Sequence, residues 1–425
     1  MITMTLAEAA QLLDISPPKL NTSFLGCSTD SRSIDKNELF VALRGPNFDG
    51  HYFLDSAIER GASAVMVDQS APAAIPALTV KNTHQSLGHL AGAWRDQFDL
   101  PIAAVTGSNG KTTVKEMLAS ILGVRGSVLK TQGNHNNNVG VPLALMRLEA
   151  ENRFAVVELG ANHIGEISAL AQIVKPQVGI ITLCAPAHLE GFGSLEKIAR
   201  AKGELFEELR PEGVAVVNVD DDYSEVWSDL AGDRQKITFG LKNTADVSAT
   251  WCPEHGRTRL VLLTPVGTVE ASIQLPGRHN VMNALAAVSA ALALEIPLPS
   301  IIEGLARVQP IRGRLHSVCV GNVRIIDDTY NANPASLKAG LEVLAEFPGQ
   351  RWMAFGDMAE LGTESDEFHH EAGALAREYG VERLYAMGKY SQLAVEAFGD
   401  GAWHFEHQED LIIYHQLIYL ILLLL

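Results

Sequence analysis

Residues 102–113 read IAAVTGSNGKTT, an apolar run that ends in Gly107 and Gly110 and is followed at once by Lys111, Thr112 and Thr113. This segment constrains the fold more than any other. Glycines at those positions let backbone N–H groups turn inward toward phosphate oxygens, and a helix opening at Lys111 adds partial positive charge there. In such a loop the lysine reaches the β- and γ-phosphates and the first threonine hydroxyl can ligate Mg²⁺. Gly107, Ser108, Asn109, Gly110, Lys111, Thr112 and Thr113 are therefore read as ATP-binding. The spacing is shorter than the usual GxxxxGK[ST], which would need glycine where Val105 stands. The plainer alternative is a Gly/Asn turn between strand and helix, and the loop alone leaves motor, switch, kinase and ligase open.

A strand feeding such a loop belongs to a parallel sheet covered on both faces. The chain repeats that texture. Residues 102–105, 154–157, 178–182 and 214–217 are short Val/Ile-rich runs, each followed by a segment of helical period. Residues 246–274 alternate as a strand-rich insert, and 281–294 and 300–306 read as helices. Upstream, residues 39–43 and 64–67 are strand-like around a helical run at 52–60. Beyond Pro310, residues 323–326, 351–355 and 383–386 read as strands of a second α/β unit. The length of 425 residues suggests about three domains. The expected fold class is α/β with three domains: a small N-terminal α/β substrate domain (1–82), a central P-loop parallel-sheet ATPase domain (83–310) and a C-terminal Rossmann-like α/β domain (311–425).

Thirty-three Lys and Arg stand against 50 Asp and Glu, a formal charge of −17. That excess argues against nucleic acid as a partner, because such affinity comes largely from basic residues neutralising phosphates. It leaves room for a local anion pocket. Cys27, Cys184, Cys252 and Cys319 are dispersed, without a CxxC pair, and read as small buried thiols in a reducing cytoplasm. The N-terminus shows no secretory pattern. Residues 411–425 (LIIYHQLIYLILLLL) are too short, and too interrupted by His415 and Gln416, to read as a membrane span.

Three downstream residues could complete a nucleotide site. Glu158 ends an apolar strand, where ligands bind in open α/β sheets and a carboxylate beside a nucleotide would hold a metal; a loop-facing surface Glu is the alternative. His188 lies in a loop after the next strand, where a solvated or capping histidine is common. Lys202 lies in a helical stretch and by itself reads as an ordinary exposed lysine.

Taken together, these motifs resemble the Mur ligases, ATP-dependent amino-acid ligases of peptidoglycan precursor synthesis in cell wall biogenesis. TGSNGKTT is similar to the family's P-loop. Glu158 with Asn162 and His163, then His188, then Lys202 are similar to its metal and carbamate positions. GRHNVMN at 277–283 is similar to its GxHNxxN, and Arg314 and Asp328 to its nucleotide contacts across the hinge. DDTYNANP (327–334), GDMAELG (356–362) and NHNNNVGVP (134–142) look most like the member that adds the last peptide unit. TDSR (29–32) and DGH (49–51) resemble the UDP-sugar site of this member and of the one that acts before it.

The resemblance implies that D-alanyl-D-alanine is ligated to the terminal carboxylate of a UDP-N-acetylmuramoyl-tripeptide. The implied route is an acyl phosphate, with ADP and phosphate released. It implies ATP, two Mg²⁺ ions and a CO₂-derived carbamate on Lys202 as cofactors, and a cytoplasmic monomer without integral membrane association. It assigns Lys111, Glu158, His188 and Lys202 to catalysis, and Thr112, Glu158, His188 and Lys202 to metal. Asn280, Asn283, Arg314 and Asp328 join the P-loop on ATP. Thr29, Asp30, Ser31, Arg32, Asp49, Gly50, His51, Asn134, Asn137, Asn138, Tyr330, Asn331 and Asn333 contact the substrates. The alternatives are a third-residue-adding Mur ligase, a folylpolyglutamate synthase-like ligase and, from another class, a P-loop ATPase regulator. The leucine-rich tail resembles no part of the family, so a truncated or altered end is expected there.

Overall fold

The computed structural model describes residues 1–72, 75–187, 189–254 and 256–412. His188 and residues 413–425 of the tail lie outside the described residues. The central layer is built from six strands: β1 (Ile102–Thr106), β2 (Ser127–Lys130), β3 (Asn152–Glu158), β4 (Val178–Ile181), β5 (Val214–Asn218) and β6 (Gln235–Phe239). They lie in the order β6-β5-β4-β1-β3-β2 and every pairing is parallel. β1 is buried along its whole length. Its side chains alternate: Ile102 and Ala104 face one core, Ala103 and Val105 the other. This two-sided burial explains why the strand reads as an unbroken apolar run.

One face of the sheet is covered by α1 (Lys111–Gly123), Arg278–Ala293 and Leu298–Arg307, the other by Thr83–Arg95, Gly140–Leu145 and Glu166–Val174. The core that holds Ile102 and Ala104 continues without a break into Ile2, Leu6, Leu39 and Met66. The N-terminal segment is thus welded to the central sheet by shared apolar packing. It carries a four-stranded parallel sheet, Cys27–Ser28, Leu39–Val41, Ala64–Val67 and Ala77–Thr79. Before it, Thr3–Thr5 pairs antiparallel with Ser23–Leu25, and the helix Leu6–Leu12 starts with a Thr5/Glu8 capping box. Neither is among the sequence expectations, although the T-x-x-E signal of the helix is present.

The expected insert is a three-stranded antiparallel sheet, Ser248–Glu254, Arg257–Thr264 and Gly267–Ile273. The third unit carries a parallel sheet of Trp352–Gly356, Arg383–Met387 and Ala402–Phe405. Residues 323–326 are not a member of it. Val323–Asp327 instead forms an antiparallel hairpin with His316–Val320, because the tight turn at Gly321 (φ +60) folds the chain straight back. The thiols also depart from expectation. Cys252 and Cys319 are exposed on these outer strands, and only Cys27 and Cys184 are partly covered.

Candidate functional site

The carboxyl ends of β1, β3 and β4 open into a cleft of about 1890 Å³, lined from the central and third units. Typical small-molecule sites are roughly 300–1,000 Å³, so this one has room for more than one substrate. The P-loop forms its floor. Gly107 (φ +146) and Gly110 (φ +82) adopt backbone that favours glycine. Space forbids a side chain as well: a Cβ on Gly107 would sit 1.8 Å from Thr182 Oγ1, and one on Gly110 2.3 Å from Asn283 Oδ1. Lys111 Nζ donates to the carbonyls of Gly107 (2.7 Å) and Ser108 (3.2 Å). Burial lowers its pKa; Glu158 opposes that fall and Arg314 adds to it.

Glu158 is buried and completely engaged. Its Oε2 accepts from Thr112 Oγ1 at 2.9 Å and its Oε1 from Asn136 Nδ2 at 2.9 Å. Lys115 Nζ, itself buried, lies 3.6 Å from Oε2. The backbone N–H of Glu158 donates to Thr131 Oγ1, which locks the strand end. Asn136 and Lys115 are absent from the sequence expectation. The signals were present: Lys115 is a charged residue four positions from Lys111 in an otherwise apolar helix stripe, and Asn136 is the middle of the NHNNN run. Asn134, Asn137 and Asn138 line the same cleft, and Asn137 Oδ1 accepts the N–H groups of Val139 and Gly140. Asn162 also lines it, whereas His163 is exposed and paired with Glu166.

Lys202 is not an exposed helix lysine. It sits on Leu195–Glu207 only 4% exposed, with its Nζ 5.8 Å from the Phe192 ring centre. Burial drives its pKa down to about 7, the charge on Lys111 adds to the fall, and Cys184 opposes it. The Cys184 thiol is itself pushed up to about 12, chiefly by burial. Asn280 and Asn283 lie in the first turns of Arg278–Ala293, whose N-cap is Gly277. Both are buried inside it, with Asn280 Nδ2 bonded to the Pro276 carbonyl and Asn283 Nδ2 to Asn280 Oδ1.

The third unit reaches into the P-loop. Arg314 Nη2 donates to Thr112 Oγ1 at 2.9 Å, and its guanidinium lies 4.2 Å from the centre of the Tyr330 ring. Asn109 and Asn333 exchange two amide hydrogen bonds, at 3.0 and 2.7 Å. Asn333 also caps Pro334–Glu346 through the Ser336 N–H. Asp328 Oδ1 accepts the Leu315 N–H, and burial raises its pKa. Asp328, Tyr330 and Asn331 line the cleft.

The N-terminal residues fall outside that lining. Arg32 is 86% exposed and clamps Asp30 at 2.8 Å; these bonds hold the Asp30 carboxyl down at about 2. Ser31 is buried and Thr29 partly so. His51 is buried, with Nδ1 2.6 Å from Asp49 Oδ1 while Nε2 accepts the Asp68 N–H at 3.3 Å. His51 thus orders its loop, and Gly50 lets that loop pack 2.8 Å from the Leu43 backbone, measured to where a Cβ would be. The order is set by the sequence D-G-H itself, since Asp49 Oδ1 accepts the His51 N–H as well.

A P-loop at the end of a parallel sheet, a buried carboxylate on its threonine, a desolvated lysine and a third unit bonded across the cleft define a nucleotide-dependent enzyme closed by a separate domain. The chain belongs to the Mur ligase family. Residues 23–95 match the Mur ligase family catalytic domain, 105–291 the Mur ligase middle domain and 313–418 the Mur ligase glutamate ligase domain. It is 41% identical to the UDP-N-acetylmuramoyl-tripeptide–D-alanyl-D-alanine ligase of Escherichia coli (strain K12), covering 97% of this chain and 92% of that one. The structure of MurF from Acinetobacter baumannii superposes with a TM-score of 0.93 at 36% identity, covering 99% of this chain and 93% of that one. The MurF ligase of Thermotoga maritima in complex with ADP superposes at 0.79 with 27% identity, covering 89% and 87%.

Proposed function

We propose that the chain joins D-alanyl-D-alanine to the terminal carboxylate of a UDP-N-acetylmuramoyl-tripeptide, cleaving ATP to ADP and phosphate, in peptidoglycan precursor synthesis in the cytoplasm. The observation that carries this reading is the bonding of Arg314 and Asn333 to Thr112 and Asn109, beside buried Lys202. A ligase must hold ATP, an acid and an amine together and keep water out, and a domain bonded over its own P-loop does so. In this reading residues 1–82 hold the UDP-sugar, 83–310 the nucleotide, and 311–425 close the site and present the dipeptide. Arg32 and Ser31, outside the cleft lining, would hold the UDP end of a substrate that spans two units.

Phosphoryl transfer needs mainly positioning and charge neutralisation. Lys111 and Arg314 would neutralise the nucleotide phosphates from opposite sides. The tripeptide carboxylate, so placed, takes the γ-phosphoryl group; the dipeptide amine then attacks the acyl carbon and phosphate leaves. The Thr112 hydroxyl and the Glu158 carboxylate are hard oxygen donors within 2.9 Å of each other, a set that suits Mg²⁺. Mg²⁺ held there would stabilise charge on the phosphate oxygens. Asn136 and Lys115 fix the direction in which Glu158 presents its oxygens.

Lys202 would act as a carbamate. Its neutral amine would add to CO₂ with loss of a proton, putting an anion in place of the amine in the cleft lining. A pKa of about 7 supports that step, since only the neutral amine reacts. The discriminating experiment is phosphate release. It is expected only when UDP-N-acetylmuramoyl-tripeptide and D-alanyl-D-alanine are both supplied, and a P-loop regulator would release phosphate without them.

A further inference from the structure

We propose that the reciprocal amide pair of Asn109 and Asn333 is the latch that holds the third unit closed on the P-loop, so that both side chains position the domain. The pair is buried on the Asn333 side and makes both possible amide–amide bonds, 3.0 and 2.7 Å, between residues 224 apart in sequence. Each amide spends one donor and one acceptor on the other. Asn109 sits between Ser108 and Gly110, whose backbone conformations are fixed by their neighbours. Ser108 Oγ donates to the Ala185 carbonyl and accepts its N–H, both at 2.9 Å, and Thr182 Oγ1 donates to the Asn109 carbonyl at 2.5 Å. The Asn109 side chain is therefore presented from a rigid loop.

Its partner is rigid as well. Asn333 Oδ1 accepts the Ser336 N–H at 2.9 Å while Ser336 Oγ accepts the Asn333 N–H at 3.0 Å, a capping box that pins the side chain at the start of Pro334–Glu346. Two preorganised amides that meet lose little side-chain entropy, so the pair works as a register mark: it forms only when the third unit is fully seated. The Arg314–Thr112 bond is reached from the same unit and needs the same seating. Closure is thereby reported at the loop that carries the phosphates.

The test is a double-mutant cycle read by closure and not by ligation, so it stands or falls separately from the ligase reading. Donor and acceptor dyes are placed on the exposed Cys252 of the central unit and the exposed Cys319 of the third, and energy transfer is followed while ATP is added. Asn333→Asp keeps the cap, since Asp caps as well as Asn, but sets a carboxylate oxygen against Asn109 Oδ1. Asn109→Ala is made in both backgrounds. We expect each single variant to lower the closed-to-open ratio about tenfold. In the Asn333→Asp background Asn109→Ala should cost nothing further, or restore closure. If Asn109→Ala weakens ATP binding equally in both backgrounds and leaves the dye distance unchanged, Asn109 is a nucleotide contact and the latch is refuted. Asn333→Gln, too long for the same geometry, should open the domain without altering the melting temperature of the central unit; a full closed signal in that variant overturns the proposal too.

Discussion

Replacing Lys202 by methionine should make the protein more stable and inactive at once. The magnitude follows from burial. The amine has an ordinary value of about 10.5 and is held at about 7 in the folded chain. At pH 8 folding must therefore strip a proton that the unfolded chain keeps, at a cost of about 3 kcal/mol. The sign is set by proton count: between pH 7 and about 10.5 the unfolded chain binds more protons, so wild-type stability rises with pH across that window. Below pH 7 both states are protonated and the full cost of about 5 kcal/mol remains. Lys202→Met has a similar apolar stem and no charge to desolvate. Urea unfolding in CO₂-depleted buffer from pH 6.5 to 10 should show the variant about 3 kcal/mol more stable at pH 8, with the gap closing as pH rises. Ligation by the variant should fall at least a hundredfold and be partly restored by added short carboxylic acids. A variant that unfolds more easily than wild type at pH 7 would refute the desolvation argument, and one that ligates at wild-type rate would refute the carbamate role.

Other residues give independent checks. Gly110→Ala forces a side chain into a positive-φ position 2.3 Å from Asn283 Oδ1, so it should cost about 1–3 kcal/mol and abolish nucleotide-dependent protection in thermal shift. Asn136→Ala removes one donor from buried Glu158; about 1–2 kcal/mol of stability should be lost, and kcat should fall more than tenfold, measured by phosphate release. Thiol titration at pH 8 should label Cys252 and Cys319 within minutes and Cys184 orders of magnitude more slowly, since a pKa pushed up to about 12 leaves roughly a thousandth of the usual thiolate.

The P-loop and the strand–helix alternation around it were legible because they are local. Residues 102–113 carry strand, turn and helix start in one run, and the two-sided burial of β1 writes itself as a continuous apolar stretch. The first helix was legible too but went unread, since its signal is only a Thr5/Glu8 pair. What stayed hidden is non-local. Nothing near Lys202 in sequence tells that it is buried; in the fold its amine lies over the Phe192 ring and within reach of the charge on Lys111, the first residue of α1. Glu158 could be placed at a strand end, but its partners Lys115 and Asn136 come from a helix and a loop on other strands. His51 looked like a ligand residue from its motif, yet its two ring nitrogens are spent on Asp49 and Asp68, a pairing visible only once residue 68 folds beside residue 51. Residues 323–326 read as a strand of the second α/β unit, but their antiparallel pairing with 316–320 is not legible, because a valine-rich strand looks the same in either setting.

The proposed reaction couples ATP cleavage to the formation of one peptide bond. Mass spectrometry of the product, with phosphate measured in the same tube, tests it most directly. With ATP, Mg²⁺, UDP-N-acetylmuramoyl-tripeptide and D-alanyl-D-alanine present, one phosphate should appear for each molecule of pentapeptide product, and omission of either acceptor or acid should stop both. Phosphate released at a comparable rate without the dipeptide or the tripeptide, or product mass from a different amino acid, would contradict the account.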